Sequence, residues 1–300
     1  MPKNFLAHLA LLAVNLIYGS SHFIAKEVMP DYLKPNTFIL LRVFGASVLF
    51  WSLRYFIREK VERNDLWRIA LVGLFGVALN QLLFFQGLSI TSPIDSAIIM
   101  VTSPVIVTLL SLLILKTKLT SNKVIGITLG LVGAIVLISL SGGTNTGSSM
   151  KGNLLIMANA TSYSLYLVLV KPLLAKYKPL TVISYMFVFA FFIVLPFGIS
   201  DIQDVTLSFP SVVLFSIGFI VFFTTFCTYL FNIYAVKKLS PTIASSYIYL
   251  QPVFAMVIGF GISFYNSNSN YASAITWPKL LCTLLIFLGV YLTSKSKKLA

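Results

Sequence analysis

Ten apolar stretches, each long enough to cross a lipid bilayer, dominate the sequence. A transmembrane helix needs roughly 20 predominantly apolar residues. The stretches cover residues 5–25, 36–57, 66–88, 92–115, 120–140, 152–174, 180–199, 210–236, 241–264 and 277–294. The sequence therefore predicts an all-α membrane protein with ten transmembrane helices.

The overall composition agrees with a lipid environment. Hydrophobic residues make up 58% of the 300 residues and charged residues only 10%, which leaves too few polar side chains to cover a soluble globule. Cys227 and Cys282 both lie inside apolar stretches, so we expect buried packing residues and no disulfide. The expected location is the cytoplasmic (inner) or plasma membrane, with membrane lipid as a partner.

An internal repeat relates the two halves of the chain. A Ser-Pro dipeptide that begins at Ser92 and a second proline at Pro104 recur at Ser240 and Pro252, 148 positions later. A shared spacing of this kind on an apolar background indicates a duplicated unit. Because the first apolar stretch has a counterpart in the second half, we interpret it as a membrane span and not as a cleaved signal peptide.

The two copies are predicted to have opposite orientations in the membrane. A loop at residues 141–149, rich in Gly, Ser and Thr, cannot continue a helix and is expected to link residues 1–145 to residues 146–300. Each copy has five predicted helices, and an odd number forces the second copy to enter from the opposite face. Two inverted five-helix repeats are typical of secondary transporters, which bind substrate near the midplane between the repeats.

Lys and Arg residues are distributed unevenly between the two ends of the predicted helices. The connections on the side of the N-terminus collect most of the 22 Lys and Arg residues. Only Lys26, Lys34, Lys151 and Lys279 fall on the opposite side, and Arg42 lies inside the second stretch. Because basic residues accumulate in cytoplasmic loops, we predict that both termini are cytoplasmic. This asymmetry explains the net charge of +14, so no nucleic acid partner is expected.

Polar and aromatic side chains recur at helical spacing within several predicted helices. Residues three or four positions apart share a helix face, and such a stripe either hydrogen bonds to a neighbouring helix or faces a cavity. Stripes on four helices exceed what packing requires, and their aromatic members suit an apolar or aromatic metabolite. The predicted substrate-binding residues are Asn15, Tyr18, Arg42, Asn80, Phe84, Thr102, Asn159, Tyr163, Tyr166, Thr228, Tyr247 and Gln251.

The two repeated prolines are predicted hinges. Pro104 and Pro252 each remove the hydrogen bond to the carbonyl four residues earlier, at Met100 and Ile248. Broken helices are tolerated in membranes where protein or a wet cavity surrounds them. We therefore expect both kinks to line the cavity, with a simple packing kink as the alternative.

Arg42 is predicted to lie inside the membrane, about 10 Å below the surface at helical rise. An ionisable residue at that depth usually faces the bundle interior with a partner. By depth, Asp95 is the nearest candidate partner. The alternatives are contacts to backbone carbonyls or the surface, and direct contact with an anionic substrate, which suits the planar donor fork of arginine.

Together these features resemble the EamA branch of the drug/metabolite transporter superfamily, over nearly the whole chain. The resemblance implies a ten-helix exporter or importer of small metabolites, with a cavity lined mainly by helices one, three, four, six, eight and nine. Members of that family commonly have a Gly-Glu pair at the ends of helices four and nine. This chain has Leu115-Lys116-Thr117-Lys118 and Phe264-Tyr265-Asn266 there, so no role of those glutamates is transferred.

Other function classes fit the sequence less well. The main alternative is an intramembrane enzyme or a lipid-handling protein, which would need paired carboxylates, a Ser/His dyad or a metal cluster. His8 and His22 lie near opposite ends of one helix, so we predict no catalytic residues, no metal site and no cofactor. A channel would need a charged ring or a filter loop. The expected ligand is a small-molecule substrate.

Small residues in the fifth predicted helix bear on the oligomeric state. Gly126, Gly130 and Gly133 form a face of the kind that lets two helices approach closely. We interpret this face as internal helix packing, with homodimerisation as the alternative. The sequence thus predicts a monomer or a homodimer.

Overall fold

The computed structural model describes residues 4–57, 59–114, 120–139, 149–201, 209–239, 241–265 and 276–294. All regular secondary structure in these ranges is helical, which confirms the all-α prediction. Ten helices are numbered here in chain order: α1 Phe5–Val28, α2 Pro35–Arg54, α3 Arg63–Ser89, α4 Pro93–Ile114, α5 Ser121–Ser139, α6 Met150–Lys176, α7 Pro179–Ser200, α8 Ser211–Lys238, α9 241–265 and α10 Trp277–Ser294.

Within the described residues, eight of these helices are long and apolar enough to cross a membrane. The other two, α5 and α10, contain shorter apolar segments, Val124–Gly133 and Trp277–Gly289. The predicted linker at 141–149 lies outside the described residues except for Ser149, as do Leu115-Lys116-Thr117-Lys118, Ser240 and Asn266.

Helix starts follow the local chemistry of the sequence. Proline occupies the first position of α2 and of α7, where its fixed φ fits a helix and its missing N–H is not needed. Ser92 and Ser149 precede α4 and α6, and their hydroxyls accept hydrogen bonds from the backbone amides of Asp95 and Gly152.

Both α4 and α9 are interrupted just before their prolines. In α4, α-helix runs over Pro93–Met100 and resumes over Ser103–Ile114. In α9, a 3₁₀ turn at Tyr247–Tyr249 separates Pro241–Ser246 from Leu250–Tyr265. These interruptions lie just ahead of Pro104 and Pro252, where the sequence predicts kinks, and the hinge role of the two prolines stays a prediction.

Two π-helical segments were not predicted. Leu74–Ala78 interrupts α3, and Ile220–Cys227 interrupts α8. A π segment shifts the register of the helix that follows it and often marks a functional region. Within the π segment of α3, the absence of a side chain at Gly76 lets the backbone approach Tyr166. A Cβ at Gly76 would lie 2.5 Å from Cδ2 of Tyr166.

The two halves of the chain pack in a reciprocal pattern. Helix α1 of the first half packs against α8 and α9 of the second, and α6 of the second half packs against α3 and α4 of the first. Helix α2 packs against α7, and α5 against α10. Two groups result: α3, α4 and α6 form one, and α8, α9 and α1 form the other.

Two lysines cap the ends of helices in corresponding positions. Lys26 in α1 donates hydrogen bonds to three carbonyls at the end of α3, and Lys171 in α6 does so at the end of α8. The last carbonyls of a helix have no partner within it, so such donors stabilise the helix end. The acceptors are Leu88, Ser89 and Thr91 for Lys26, and Val236, Lys237 and Leu239 for Lys171.

The glycine face of α5 packs inside the protein, as predicted. A Cβ added to Gly289 of α10 would lie 2.5 Å from the carbonyl oxygen of Gly126 and 2.7 Å from the amide nitrogen of Gly130. Backbone atoms cannot move aside as a flexible side chain can. The contact between α5 and α10 therefore requires glycine at position 289.

Replacing Gly289 with alanine is expected to destabilise the protein by about 1–3 kcal/mol, because the added methyl group overpacks the α5–α10 contact. The measurement is the unfolding free energy of the purified protein. Gly218→Ala in α8 is the matched control, since nothing lies within 4 Å of a Cβ at that position. Equal stability of the two variants would contradict the close approach of α5 and α10.

Candidate functional site

A central cavity lies between the two helix groups, and α2 contributes to its wall. Its wall mixes aromatic rings, amide side chains and one guanidinium group. The lining residues are Tyr18, Ser21, His22, Arg42, Asn80, Gln81, Phe84, Phe85, Met100, Asn159, Tyr163, Thr224, Tyr229, Ile248 and Gln251.

Helices α1, α3, α4, α6, α8 and α9 all contribute to this wall, as the family resemblance implies. The structure brings together predicted residues from both halves of the chain. Those in the wall are Tyr18, Arg42, Asn80, Phe84, Asn159, Tyr163 and Gln251.

Five predicted site residues lie outside the wall of this cavity. Asn15 accepts a hydrogen bond from Nε2 of Gln251 at 3.0 Å, so it supports the wall from behind. The Tyr247 hydroxyl pairs instead with Nδ1 of His8 at 2.8 Å. The hydroxyls of Thr102 and Thr228 donate to carbonyls of their own helices, and Tyr166 is fully buried in the core.

Several wall residues were not among the predicted site residues. Ser21 and His22 follow Tyr18 by three and four positions, so helical spacing could have included them. Gln81 and Phe85 follow the π segment of α3. Met100 and Ile248 are the residues whose carbonyls the two prolines leave free. Phe85 follows Gln81 by four positions and Tyr229 follows Thr225 by four, so the same spacing could have included them, whereas the break residues had no such signal.

Arg42 is held by α8 and by aromatic rings. Its side chain is buried, and Nε and Nη2 donate to Oγ1 of Thr225 at 3.0 and 2.8 Å. The guanidinium carbon lies 4.1 Å from the ring centroid of Phe85 and 5.7 Å from that of Phe38, a cation–π arrangement. Its Nη1 atom has no hydrogen-bond partner.

The predicted pairing of Arg42 with Asp95 is wrong. Oδ1 of Asp95 lies 2.5 Å from Nζ of Lys279, and the two side chains are 0% and 4% exposed. From the sequence, Lys279 was counted only among the basic residues at the helix ends opposite the N-terminus, and it was not considered as a partner of Asp95. The first turns of α4 and α10 meet at the same end of the molecule, so this lysine reaches Asp95 while Arg42 turns toward Thr225.

Some residues of the polar stripes form hydrogen bonds between helices, which was the alternative to facing the cavity. Asn159 donates from Nδ2 to the carbonyl of Asn80 at 2.6 Å, and Asn232 donates to the Tyr163 hydroxyl at 2.6 Å. The Tyr229 hydroxyl donates to the carbonyl of Gly76 at 2.8 Å. These bonds fix the orientation of the side chains that form the cavity wall.

Polar contacts connect the two helix groups at the end of the molecule that carries Asp95, where Lys26 of α1 caps the end of α3 and His22 of α1 meets Ser96 of α4. Nδ1 of His22 in α1 lies 2.5 Å from Oγ of Ser96 in the first turn of α4. Both side chains are buried. Because α1 and α4 belong to different groups, relative movement of the groups would break this contact.

The cavity also contains polar atoms without a partner. Besides Nη1 of Arg42, those among the described residues are Oδ1 of Asn159, Oγ1 of Thr224 and both amide atoms of Gln81, whose side chain lies beside Tyr229. Buried polar groups normally have partners, so a cluster of free ones marks a site that can bind a polar ligand. Within the described ranges, no group of three or more His, Cys, Asp and Glu side chains could hold a metal ion.

Related proteins share this chain's length and fold. A transporter of Bacillus subtilis, "Uncharacterized transporter YyaM", is 26% identical over 97% of this chain and 94% of its own length. The WAT1-related protein At3g53210 of Arabidopsis thaliana is 25% identical over 99% of this chain and 87% of its own. A solved crystal structure with 14% identity superimposes with a TM-score of 0.65 and covers 97% of this chain and 98% of its own, which shows the fold.

A family model matches the chain twice. The model of the EamA-like transporter family covers residues 5–139 and again residues 150–295. The two matches together span nearly all of the sequence, and relatives of full length are named transporters. The chain therefore belongs to the EamA-like transporter family and is an integral membrane transporter.

Proposed function

We propose that this protein is a secondary transporter that moves a small metabolite, such as an amino acid or a related compound, by alternating access. The observation that carries this proposal is the position of the cavity between the two helix groups. Substrate sites of secondary transporters commonly lie between repeats, where rocking of one group against the other exposes the site to each side in turn.

Corresponding features of the two halves support an inverted repeat of residues 1–145 and 146–300, with ten membrane spans. The break at Val101 in α4 and the 3₁₀ turn ending at Tyr249 in α9 are 148 positions apart. The π segments of α3 and α8 fall in corresponding places, and so do the caps made by Lys26 and Lys171. The distribution of Lys and Arg favours cytoplasmic termini.

Within this proposal, the wall residues bind substrate and the helix breaks act as hinges. At the end near Asp95 the two helix groups contact each other where α4 packs against α9, where Lys26 bonds to the end of α3, and where His22 meets Ser96. Movement that separates these two residues would open the cavity at that end. The breaks before Pro104 and Pro252 let the ends of α4 and α9 move without disturbing the rest of each helix.

A thermal-shift screen of the purified protein against amino acids, nucleosides and organic acids tests for a ligand, since binding to the folded state raises the melting temperature. Uptake of each stabilising compound into proteoliposomes then tests transport. Compounds that bind but do not cross the membrane would contradict the proposed transport function.

Replacing Gln251 with leucine is expected to weaken substrate binding about fivefold, because it removes one hydrogen-bonding group from the wall. Gln86→Leu is the control, since Gln86 donates to Asn36 away from the cavity wall. The measurement is binding affinity by calorimetry. Equal affinities in both variants would show that the ligand binds elsewhere.

A further inference from the structure

We propose that the cavity selects an organic monoanion: a small molecule with one carboxylate on an apolar or aromatic body, in preference to a zwitterion or a cation. This inference rests on the proposed function and narrows it, because it names the substrate class of the same cavity and favours carboxylates related to amino acids over the zwitterionic amino acids themselves. It depends on the charge of the wall, the geometry of Arg42 and the surrounding rings.

The first argument is the charge of the cavity wall. Arg42 is the one lining residue that is charged at every physiological pH, and no Asp or Glu belongs to the lining among the described residues. The nearby buried carboxylate of Asp95 is already paired with Lys279. Within the described part of the chain, no carboxylate of the wall neutralises this one positive charge, and a buried charge without a counter-charge is unfavourable. A ligand with one negative charge supplies the missing partner.

The second argument is the orientation of the guanidinium group. Thr225 accepts hydrogen bonds from Nε and Nη2, while Nη1 has no partner. The Thr225 hydroxyl in turn donates to the carbonyl of Ile220 at 2.8 Å, so it serves Arg42 as an acceptor. Stacking on Phe85 fixes the plane of the group. The free edge at Nη1 is therefore held in a defined direction before a ligand binds, which lowers the entropic cost of binding.

The third argument is the chemistry around that free edge. Nε2 of Gln81 is a second donor without a partner in the same wall, and charge-assisted hydrogen bonds from arginine to a carboxylate are strong and directional. Aromatic rings form another part of the wall. Those rings belong to Tyr18, Phe84, Tyr163 and Tyr229. The wall thus offers donors for one carboxylate and an apolar surface for the remainder of the molecule.

The same features disfavour an ammonium group. A cationic group would lie in a cavity whose fixed charge has the same sign, and like charges in a low-dielectric site repel strongly. A zwitterion would bring a carboxylate that fits and an ammonium that has no carboxylate to pair with. Among compounds of equal size, we therefore expect affinity to fall from anion to zwitterion to cation.

The test uses four compounds that share a phenyl ring and a short chain. They are 3-phenylpropionate, its neutral amide 3-phenylpropionamide, phenylalanine and phenethylamine. Calorimetry with the purified protein is expected to show that 3-phenylpropionate binds at least tenfold more tightly than each of the others. Equal or tighter binding of any other compound, or no binding of 3-phenylpropionate, would overturn the inference.

Variants of Arg42 and of its partner test whether the guanidinium group causes the preference for the carboxylate. Arg42→Gln is expected to abolish the preference for 3-phenylpropionate over its amide. Arg54→Gln is the control, because Arg54 is also buried in α2 but packs on Trp51 and Tyr185 outside the cavity wall. If Arg42→Gln fails to fold, Thr225→Val provides a second test, since it keeps the side-chain shape and removes the acceptor that orients the guanidinium. Unchanged preference in Thr225→Val would then contradict the role of this geometry.

The outcomes separate this inference from the proposed function. If phenylalanine or phenethylamine binds in the cavity and is transported, the preference for an anion is wrong while secondary transport stands. If 3-phenylpropionate binds with the expected preference but proteoliposomes do not take it up, the substrate class of the cavity stands and the transport proposal fails.

Discussion

Replacing Lys279 with methionine is expected to destabilise the protein by about 3–5 kcal/mol, because it leaves the carboxylate of Asp95 buried without its partner. Asp95 is 0% exposed, its Oδ1 atom pairs with Lys279, and its Oδ2 atom has no other partner. The measurement is the unfolding free energy in detergent.

The double variant Asp95→Asn with Lys279→Met is expected to recover most of this loss, since it removes both charges from the interior. Lys151→Met serves as the control, because Lys151 is exposed at the start of α6. If the effects of Asp95→Asn and Lys279→Met simply add, the two side chains do not interact and the contact between α4 and α10 is not an ion pair.

Replacing both Pro104 and Pro252 with alanine is expected to slow transport at least tenfold while equilibrium binding stays within a few fold. Alanine restores a backbone N–H at each position, so α4 and α9 gain hydrogen bonds that favour continuous helices. Neither proline lines the cavity, so the variant changes the bending of the two helices and leaves the wall intact. Paired measurements of binding and of initial uptake rates in proteoliposomes test this result.

Pro196→Ala in α7 is the matched control, because this proline also lies inside a helix but α7 contributes nothing to the cavity wall. Transport at the original rate in the Pro104→Ala, Pro252→Ala double variant would show that the breaks are packing features. Equal slowing in the Pro196→Ala control would show that the effect comes from general destabilisation of helices.

The sequence was informative wherever structure depends on local chemistry. Apolar length predicted the helices to within a few residues, as for α2, where a span at 36–57 became Pro35–Arg54. The breaks in α4 and α9 follow from a missing N–H at each proline. The glycine face of α5 follows from the absence of a side chain at Gly126 and Gly130, and this chemistry is visible without knowledge of the fold.

Partners that are far apart in the sequence could not be chosen in the same way. Asp95 and Lys279 are 184 positions apart, and helix depth alone favoured Arg42 as the partner. Depth gives the distance from the membrane surface but not the direction in which a side chain points. The rotation of each helix depends on its neighbours, and the π segments of α3 and α8 change that rotation further.

The residues of the cavity wall also show that the sequence does not give the direction of every side chain. Helical spacing placed Asn80 and Phe84 on one face, and both line the cavity. The break in α4 turns Met100 toward the cavity and directs the hydroxyl of Thr102 to the carbonyl of Ile99. The prediction assumed a regular helix, so it chose the wrong residue at the interruption of α4.

Cysteine accessibility at Thr224 tests alternating access to the cavity most directly. In a variant without Cys227 and Cys282, we expect Thr224→Cys to react with a membrane-impermeant thiol reagent from both sides of oriented proteoliposomes. A short crosslink between cysteines that replace His22 and Ser96 joins the two helix groups at one end, so labelling from that side should stop while labelling from the other side continues. Labelling from both sides despite the crosslink, or from one side only without it, would contradict alternating access.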